Sequence, residues 1–356
     1  MPNSKIKIFL GGYVNFPNAQ NINCDNLARH LDKDKFEVHT AYAARLRFCK
    51  GQFPKVDRAW YNAHGIHLHG VFSHRFLWYW CKLLTMLCGN YDILYLPKAE
   101  KPDRHAARLL RGRAVTVASV EGVVTDSTNN SSEYRSYYME EVDSFFAISR
   151  CIAESVKEKW GVDPPVLPLG VDPPEKERAC SDKIKKVIWV GNIKQNKRPL
   201  WLVECAQAFP ELSFLMLGDG DMEGQVKDEI ACRKLENIVL YGRVPNSEVY
   251  KLMQKRDLLL MTSEYEGLPK VIQEAAACSV PSIYVDENYS VDFIRSGVNG
   301  FAVAGLDEMK EKLQWLLDYP AEYQKMSEEA AESIRPYFWP NLIRQYEEYF
   351  ISLVRE

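Results

Sequence analysis

The stretch LLLMTSEYEGLPKVIQEAAACSVPSIYV, Leu258 to Val285, reads as an apolar strand, a polar loop, a helix and a second apolar strand. Neither strand alternates apolar with polar residues, which is how strands covered on both faces of a parallel sheet read. Pro269 suits the opening of the helix, because a first helical residue has no use for its N–H. A strand–helix–strand crossover of this kind is the unit from which parallel α/β sheets are built.

The same alternation extends in both directions. Towards the N-terminus the predicted strands are Ile6–Leu10, Val38–Tyr42, Ile66–His69, Ile93–Leu96, Ala114–Ala118 and Ser144–Ile148. The helices predicted between them are Ile22–Leu31, Arg75–Cys88, Asp103–Leu110, Glu133–Val142 and Cys151–Trp160. A second series has strands at Lys186–Gly191, Ser213–Leu217, Ile238–Tyr241, Leu258–Met261, Pro281–Val285 and Gly300–Val303. Its helices are Pro199–Ala208, Asp221–Leu235, Ser247–Gln254, Pro269–Cys278 and Val291–Ser296.

Between the series lies GVDPPVLPLGVDPPEKERACSDKIKK, rich in proline and charge, which reads as an interdomain connection. The C-terminal stretch is helical, with Leu342, Ile343, Tyr346, Tyr349, Phe350 and Leu353 on one face. The expected architecture is α/β: two facing, doubly wound, Rossmann-like domains with ligand in a deep cleft at the carboxyl ends of the strands. The expected boundaries are 1–168 together with a returning C-terminal helix at about 337–356, and 169–336.

Composition narrows the class. The 356 residues are 46% hydrophobic and 26% charged, with a net charge of -3, so nothing in the average favours nucleic acid. Nine scattered cysteines without a C-x-x-C pair indicate neither a zinc site nor a disulfide framework, and buried thiols in a reducing cytoplasm are expected. The N-terminus does not read as a signal peptide. FLWYWCKLLTMLC, Phe76–Cys88, is too short to span a bilayer and carries Lys82. It reads either as a helix buried against a sheet or as one lying on a membrane surface.

The chemistry is centred on the opening stretch. The amides of Gly267, Leu268, Lys270 and Val271 lie at the predicted helix start, where the helix dipole and unpaired N–H groups make an anion site suited to a diphosphate. Glu266 precedes the helix and Glu274 lies eight residues on. Eight helical residues rise about 12 Å, so the two carboxylates would bracket an extended ligand. A solvated helix face also produces such pairs by chance. The ordered context sets this pair apart.

That context resembles the E-x7-E motif of glycosyltransferase family 4, retaining enzymes of the GT-B fold. LPLGVD (Leu167–Asp172) resembles the family's linker, and WVGNIKQNKRP (Trp189–Pro199) its lysine-bearing loop. LMLGDGD (Leu215–Asp221) is similar to its glycine loop, with Gly218, and VLYGRVP (Val239–Pro245) and VDFIRSGVNGF (Val291–Phe301) to later landmarks. The resemblance implies that Glu266 contacts the donor sugar, Glu274 the ribose and the Gly267–Val271 amides the diphosphate. It implies that Lys197 neutralises the departing phosphates and that Arg243 and Val244 meet the nucleobase. The donor implied is a nucleotide-diphosphate sugar, expected to be a UDP-sugar, with no other cofactor and no metal.

Asn192 stands where the family carries a phosphate-binding arginine, and Arg198 is the expected substitute. Ser279, Leu169 and Asp292 are milder departures. In the first half Gly11-Gly12, placed after the first strand, fits the family's opening loop. Glu121 falls near the position of a histidine that faces the donor sugar. His64, His67, His69 and His74 alternate along a strand and turn with no carboxylate or thiol beside them in sequence, which favours packing or surface histidines over a metal site.

The resemblance implies sugar transfer to a glycan or lipid-linked acceptor hydroxyl with retention at the anomeric carbon. Lys197 and the helix amides would stabilise the leaving diphosphate, whose oxygen takes the acceptor's proton. A cytoplasmic place, with peripheral contact at the inner membrane surface, is the family-based expectation; the oligomeric state stays open. Two readings compete: a nucleotide-sugar epimerase of the same fold, and a non-catalytic nucleotide-sugar-binding subunit. A Rossmann dehydrogenase is disfavoured, because Gly11-Gly12 does not extend to G-x-G-x-x-G.

Overall fold

The computed structural model of the chain describes residues 5–16, 18–44, 54–72, 77–126, 129–176, 178, 180–287, 289 and 291–355. The chain divides into two compact units. Unit 1 runs from the N-terminus to Gly170 and resumes at Trp339, and unit 2 is Val171–Phe338.

Unit 1 contains strands β1 (Ile6–Tyr13), β2 (Phe36–Ala44), β3 (Ile66–Phe72), β4 (Ile93–Tyr95), β5 (Val115–Val120) and β6 (Ser144–Ala147). They form one parallel sheet in the order β3-β2-β1-β4-β5-β6. Unit 2 contains β7 (Lys186–Val190), β8 (Ser213–Leu217), β9 (Ile238–Gly242), β10 (Leu258–Met261), β11 (Ser282–Val285) and β12 (Gly300–Val303). Its sheet is also parallel, in the order β12-β11-β10-β7-β8-β9. Counted from each unit's own first strand, both orders are 3-2-1-4-5-6, the doubly wound arrangement.

The apolar runs have a direct physical reason. Along β7, Val187 and Trp189 belong to one buried cluster while Ile188 belongs to another, and β8 divides Phe214 and Met216 from Leu215 and Leu217 in the same way. The central residues of these strands, 187–189 and 214–217, are thus covered on both faces, where a polar side chain would be costly.

Helices connect the strands near where the sequence puts them, with several differences. The helix expected at Val291–Ser296 is a set of turns. The Asn299 side chain accepts from the Arg295 amide (2.7 Å) and donates to the Phe293 carbonyl (2.8 Å), and Gly297 turns the chain at φ +83°. Such side-chain bonds offer the backbone an alternative to the helical ladder. Helices Arg58–Ala63 and Leu306–Asp318 were not anticipated. Glu133–Val142 is a short helix, Ser132–Ser136, that widens into a π turn at Tyr137–Glu141.

The last helix, Trp339–Arg355, packs within unit 1. Trp339 is fully buried and stacks on His30 at 5.9 Å. The Tyr346 hydroxyl reaches the carbonyls of Leu167 and Pro168 (3.1 Å each), and Glu347 accepts from the Asp32 amide (2.8 Å) and from Lys35 Nζ (2.8 Å). Gly170 is needed beside it, since a Cβ there would lie 2.5 Å from the Trp339 ring.

Candidate functional site

In unit 2 the loops at the carboxyl ends of β7, β8 and β9 are tied to one another through their backbones. Gly191 N–H donates to the Leu217 carbonyl (3.0 Å), Ile193 N–H to Asp219 (2.8 Å), Met222 N–H to Ile193 (3.0 Å) and Gly218 N–H to Gly242 (2.9 Å). Glycine makes this closeness feasible. At Gly218, with φ +141°, a Cβ would lie 1.8 Å from the Gly191 carbonyl oxygen, and at Gly220, with φ +156°, 2.4 Å from that of Ile193. Neither position admits a side chain without moving backbone.

These loops enclose a cavity of about 270 Å³ whose lining includes Asn192, Lys197, Gly218, Arg243 and Val244. Five residues singled out separately in the sequence therefore meet in one place. The loop bearing Lys197 is held from below: Trp189 Nε1–H donates to Thr262 Oγ1 (2.9 Å), and the Thr262 hydroxyl donates to the Lys197 carbonyl (2.5 Å). The Glu264 amide donates to the Asn196 carbonyl (2.9 Å), joining this loop to the one that follows β10. Trp189 and Thr262 are positioning residues that sequence reasoning missed. Both are buried and look like ordinary core residues until the strand pairing is known.

Lys197 and Glu266 form an ion pair, each side chain about one-fifth exposed (18 and 19%). The two residues lie 69 positions apart, so their pairing is visible only in the fold. Arg243 is exposed and its nearest carboxylate, Asp219, is 3.8 Å away.

Three sequence expectations change. Arg198 lies outside the cavity lining: its backbone is left-handed (φ +46°), its Nη2 is 2.6 Å from Glu287 Oε2, and its guanidinium covers the Trp201 ring at 4.8 Å. The helix after the motif is Lys270–Ala277 with Pro269 at its N-cap, so about half of the interval from Glu266 to Glu274 is loop, and a fully helical rise does not describe it. Glu274 is buried in that helix. Burial, with the Glu274 charge, holds the Tyr250 phenol well above its usual range.

The third change concerns the helix start. The Lys270 amide donates to the Leu268 carbonyl (2.9 Å) and so does not face a ligand. Among the described residues no acceptor takes the amides of Gly267 or Leu268. Val271 is half-buried in the first turn and packs against the buried cluster. Ser279 has φ +55°, the left-handed conformation that explains why glycine suits this position.

In unit 1, Gly11 and Gly12 lie inside β1 rather than after it, at a register irregularity between Leu10 and Tyr13. A Cβ at Gly11 would lie 2.9 Å from the Tyr95 carbonyl oxygen and one at Gly12 2.5 Å from Cys24 Cβ, so close packing accounts for both. Glu121 is half-buried and accepts from the Ser119 hydroxyl (2.9 Å), which in turn pairs with the Tyr95 hydroxyl (2.8 Å). None of the three lines the second cavity, about 280 Å³, whose walls include Tyr13, Phe16, Trp78, Asn18 and Lys98. Below it the buried Lys82 ammonium pairs with Glu100 (2.6 Å) and Asp103 (2.7 Å).

The histidines group differently from their sequence spacing. His67 and His69 on β3 lie beside His39 and Glu37 on β2, so a carboxylate is at hand after all; His64 stacks on Trp60, and His74 lies outside the described residues. All eight described cysteines are free thiols. No helix among the described residues is long and apolar enough to cross a membrane.

Comparison with known proteins finds likenesses of sequence and of fold. Residues 174–333, nearly all of unit 2, match glycosyl transferases group 1. The O-antigen biosynthesis glycosyltransferase WbnH of Escherichia coli is 25% identical over 207 residues, 57% of this chain and 58% of that protein. N-acetyl-alpha-D-glucosaminyl L-malate synthase of Bacillus anthracis is 27% identical over 192 residues, 51% and 49% of the two chains. The chain thus spans about half to three-fifths of the length of these curated relatives. Among solved structures, Anabaena HepE in complex with UDP superposes with a TM-score of 0.79 at 16% identity, covering 98% of this chain and 100% of that one. The apo lipopolysaccharide outer core galactosyltransferase WaaB gives 0.71 at 18%, covering 98% and 99%. Both are likenesses of fold. The fold is GT-B, and residues 174–333 are similar to the glycosyl transferases of group 1.

Proposed function

We propose that this chain is a glycosyltransferase of family 4 that moves a sugar from a UDP-sugar to a hydroxyl of a glycan or lipid-linked glycan, with retention at the anomeric carbon. The observation that carries the reading is the unit 2 cavity, where Lys197, Asn192, Arg243 and Val244 meet on glycine-joined loops inside the region matching the family. HepE holds UDP and UDP-glucose in its crystals, which supports a uridine nucleotide as donor here.

On this reading the Gly218 loop admits the nucleotide, with Arg243 and Val244 beside the base and Glu274 towards the ribose. Lys197 and the amides of Gly267 and Leu268 take the diphosphate. Glu266, released from Lys197 as the diphosphate arrives, accepts from the donor sugar's hydroxyls. The catalytic term is electrostatic: a fixed ammonium and fixed amides aimed at charge that grows on the leaving diphosphate. A leaving phosphate oxygen takes the acceptor proton, and no metal or protein base is assigned. Asn192 contributes a neutral donor where a cation would add charge, which predicts a moderate affinity for the diphosphate.

The acceptor side is assigned to unit 1. The faces of Tyr13, Phe16 and Trp78 suit the apolar face of a sugar ring, with Lys98 and Asn18 offering polar contacts. One relative is named UDP-Gal:alpha-D-GlcNAc-diphosphoundecaprenol alpha-1,3-galactosyltransferase, which supports a lipid-linked acceptor. So does the helix Leu77–Cys88: it buries Lys82, Leu83 and Met86 but exposes Leu77, Trp80 and Leu84, spaced to share one face. That stripe, with exposed Arg111 and Arg113 after the neighbouring helix Lys101–Leu109, fits peripheral contact with an anionic membrane surface on the cytoplasmic side.

The test incubates UDP-sugars with and without lipid-linked glycan and follows products by mass spectrometry and NMR. Acceptor-dependent UDP release with the donor's anomeric configuration kept in the product supports the proposal. A new nucleotide sugar formed from donor alone would instead indicate an epimerase. Donor binding without transfer to any acceptor would indicate a binding subunit.

A further inference from the structure

The parallel register of β2 and β3 sets His39 opposite His67 and Ala41 opposite His69. Residues two apart on a strand share a face, as do partners on neighbouring strands, so Glu37, His39, His67 and His69 project together. One ligand atom from each of Glu37, His39 and His67 lies within 4.8 Å of the others. His39 Nε2 is 2.8 Å from Glu37 Oε1, and the His39 and His67 rings stack at 4.5 Å.

We propose that β2 and β3 carry a binding site for one divalent transition-metal ion of the Zn2+ class, ligated by Glu37, His39 and His67 and steadied by His69. Imidazole and carboxylate together suit Zn2+ and its neighbours better than Mg2+ or Ca2+, which take oxygen sets. Bonds of about 2.0–2.2 Å hold ligand atoms at most about 4.4 Å apart, so a small rotation of the Glu37 or His67 side chain closes atoms that lie within 4.8 Å onto one ion. Three protein ligands leave a fourth position for water.

The surroundings are those of a ligand set. His39 is buried and held between Glu37 and His69. Its other nitrogen, Nδ1, is 2.9 Å from His69 Nε2, the outer bond that orients a ligating ring. His67 is exposed and Glu37 is 40% exposed at its side chain, so an ion can enter from solvent. Lys7, 3.4 Å from Glu37, holds the carboxylate until a metal takes it. The ion would fasten the edge strand β3 to β2, a role separate from sugar transfer.

The test is calorimetric titration of the tag-free chain with Zn2+ alone, with Mg2+ as control and Co2+ absorption as the geometry readout. One Zn2+ per chain, no Mg2+ and a tetrahedral Co2+ spectrum are expected. His67→Ala and Glu37→Gln, both at accessible positions, should weaken Zn2+ binding by more than about tenfold. His69→Ala, acting through His39, should weaken it roughly 10- to 100-fold. Metal-free melting temperatures of the variants check folding. Absence of Zn2+ binding, or equal binding by His67→Ala and Glu37→Gln, overturns the proposal.

Discussion

Replacing Lys197 with alanine separates a diphosphate site from a merely structural ion pair. Lys197 and Glu266 neutralise each other, with side chains 18 and 19% exposed. The pair is mostly buried, so removing the ammonium leaves Glu266 without its partner and should cost about 1–3 kcal/mol of stability, a lowered melt from a chain that still folds. A diphosphate oxygen accepting from the ammonium is a charged hydrogen bond, worth about 1.5–3 kcal/mol. Losing it should raise the Kd for UDP roughly 10- to 150-fold, at about 1.4 kcal/mol per factor of ten. Uridine, which has no phosphate, should bind both proteins equally. Glu266→Gln removes the carboxylate that competes for Lys197 and should tighten UDP binding by up to about 1 kcal/mol, roughly fivefold, while turnover falls severely. Isothermal titration with UDP and with uridine reads all of this. An unchanged UDP Kd in Lys197→Ala, or an equal loss for uridine, would refute the assignment of the diphosphate to Lys197.

Gly218→Ala should lower the melting temperature of unit 2 by at least about 4 °C, because a Cβ 1.8 Å from the Gly191 oxygen forces backbone apart and a strain of about 2 kcal/mol or more follows. Differential scanning calorimetry checks it, and a wild-type melt would show that the loops can separate freely. Burial pushes the Cys24, Cys205 and Cys278 thiols up to about 12, whereas Cys88 and Cys232 are exposed. Peptide mapping after alkylation at about pH 8 should find Cys88 and Cys232 labelled well before those three, since the thiolate is the nucleophile; equal rates would contradict the burial. Trp80→Ser with Leu84→Ser should reduce sedimentation with anionic vesicles at least about tenfold, given roughly 1.5–3 kcal/mol for burying each large apolar side chain, and leave UDP affinity unchanged. Unaltered sedimentation would remove the membrane contact from the account.

The strands were legible because their physics is local. Leu258–Met261 is apolar without interruption since both faces of β10 are covered, and the sequence states this directly. Leu306–Asp318 carried a readable signal too: Met309, Leu313 and Leu316 fall at helical spacing and are the buried positions. The turns at Val291–Ser296 were not legible, because they depend on the Asn299 side chain and on Ser333, which arrives from a distant helix.

At the site the same division holds. Residue types and order pointed to Lys197, Gly218, Arg243 and Val244, and all four line the cavity. What the sequence hid is pairing across long intervals: Lys197 with Glu266, Arg198 with Glu287, and Trp189 with Thr262. The placement of Gly11 and Gly12 after the first strand was hidden for a related reason, since a glycine pair packed against Cys24 and Tyr95 inside a strand looks the same in sequence as one in a loop.

The most direct test of the central claim is a thermal shift of the wild-type chain with UDP, GDP and ADP and their sugars. At a ligand concentration about 100 times Kd, binding to the folded state alone adds about 2.7 kcal/mol, or roughly 5–10 °C for a unit of this size. The account predicts such a shift for UDP and a UDP-sugar, reduced in Lys197→Ala. No shift with any nucleotide or nucleotide sugar would contradict it.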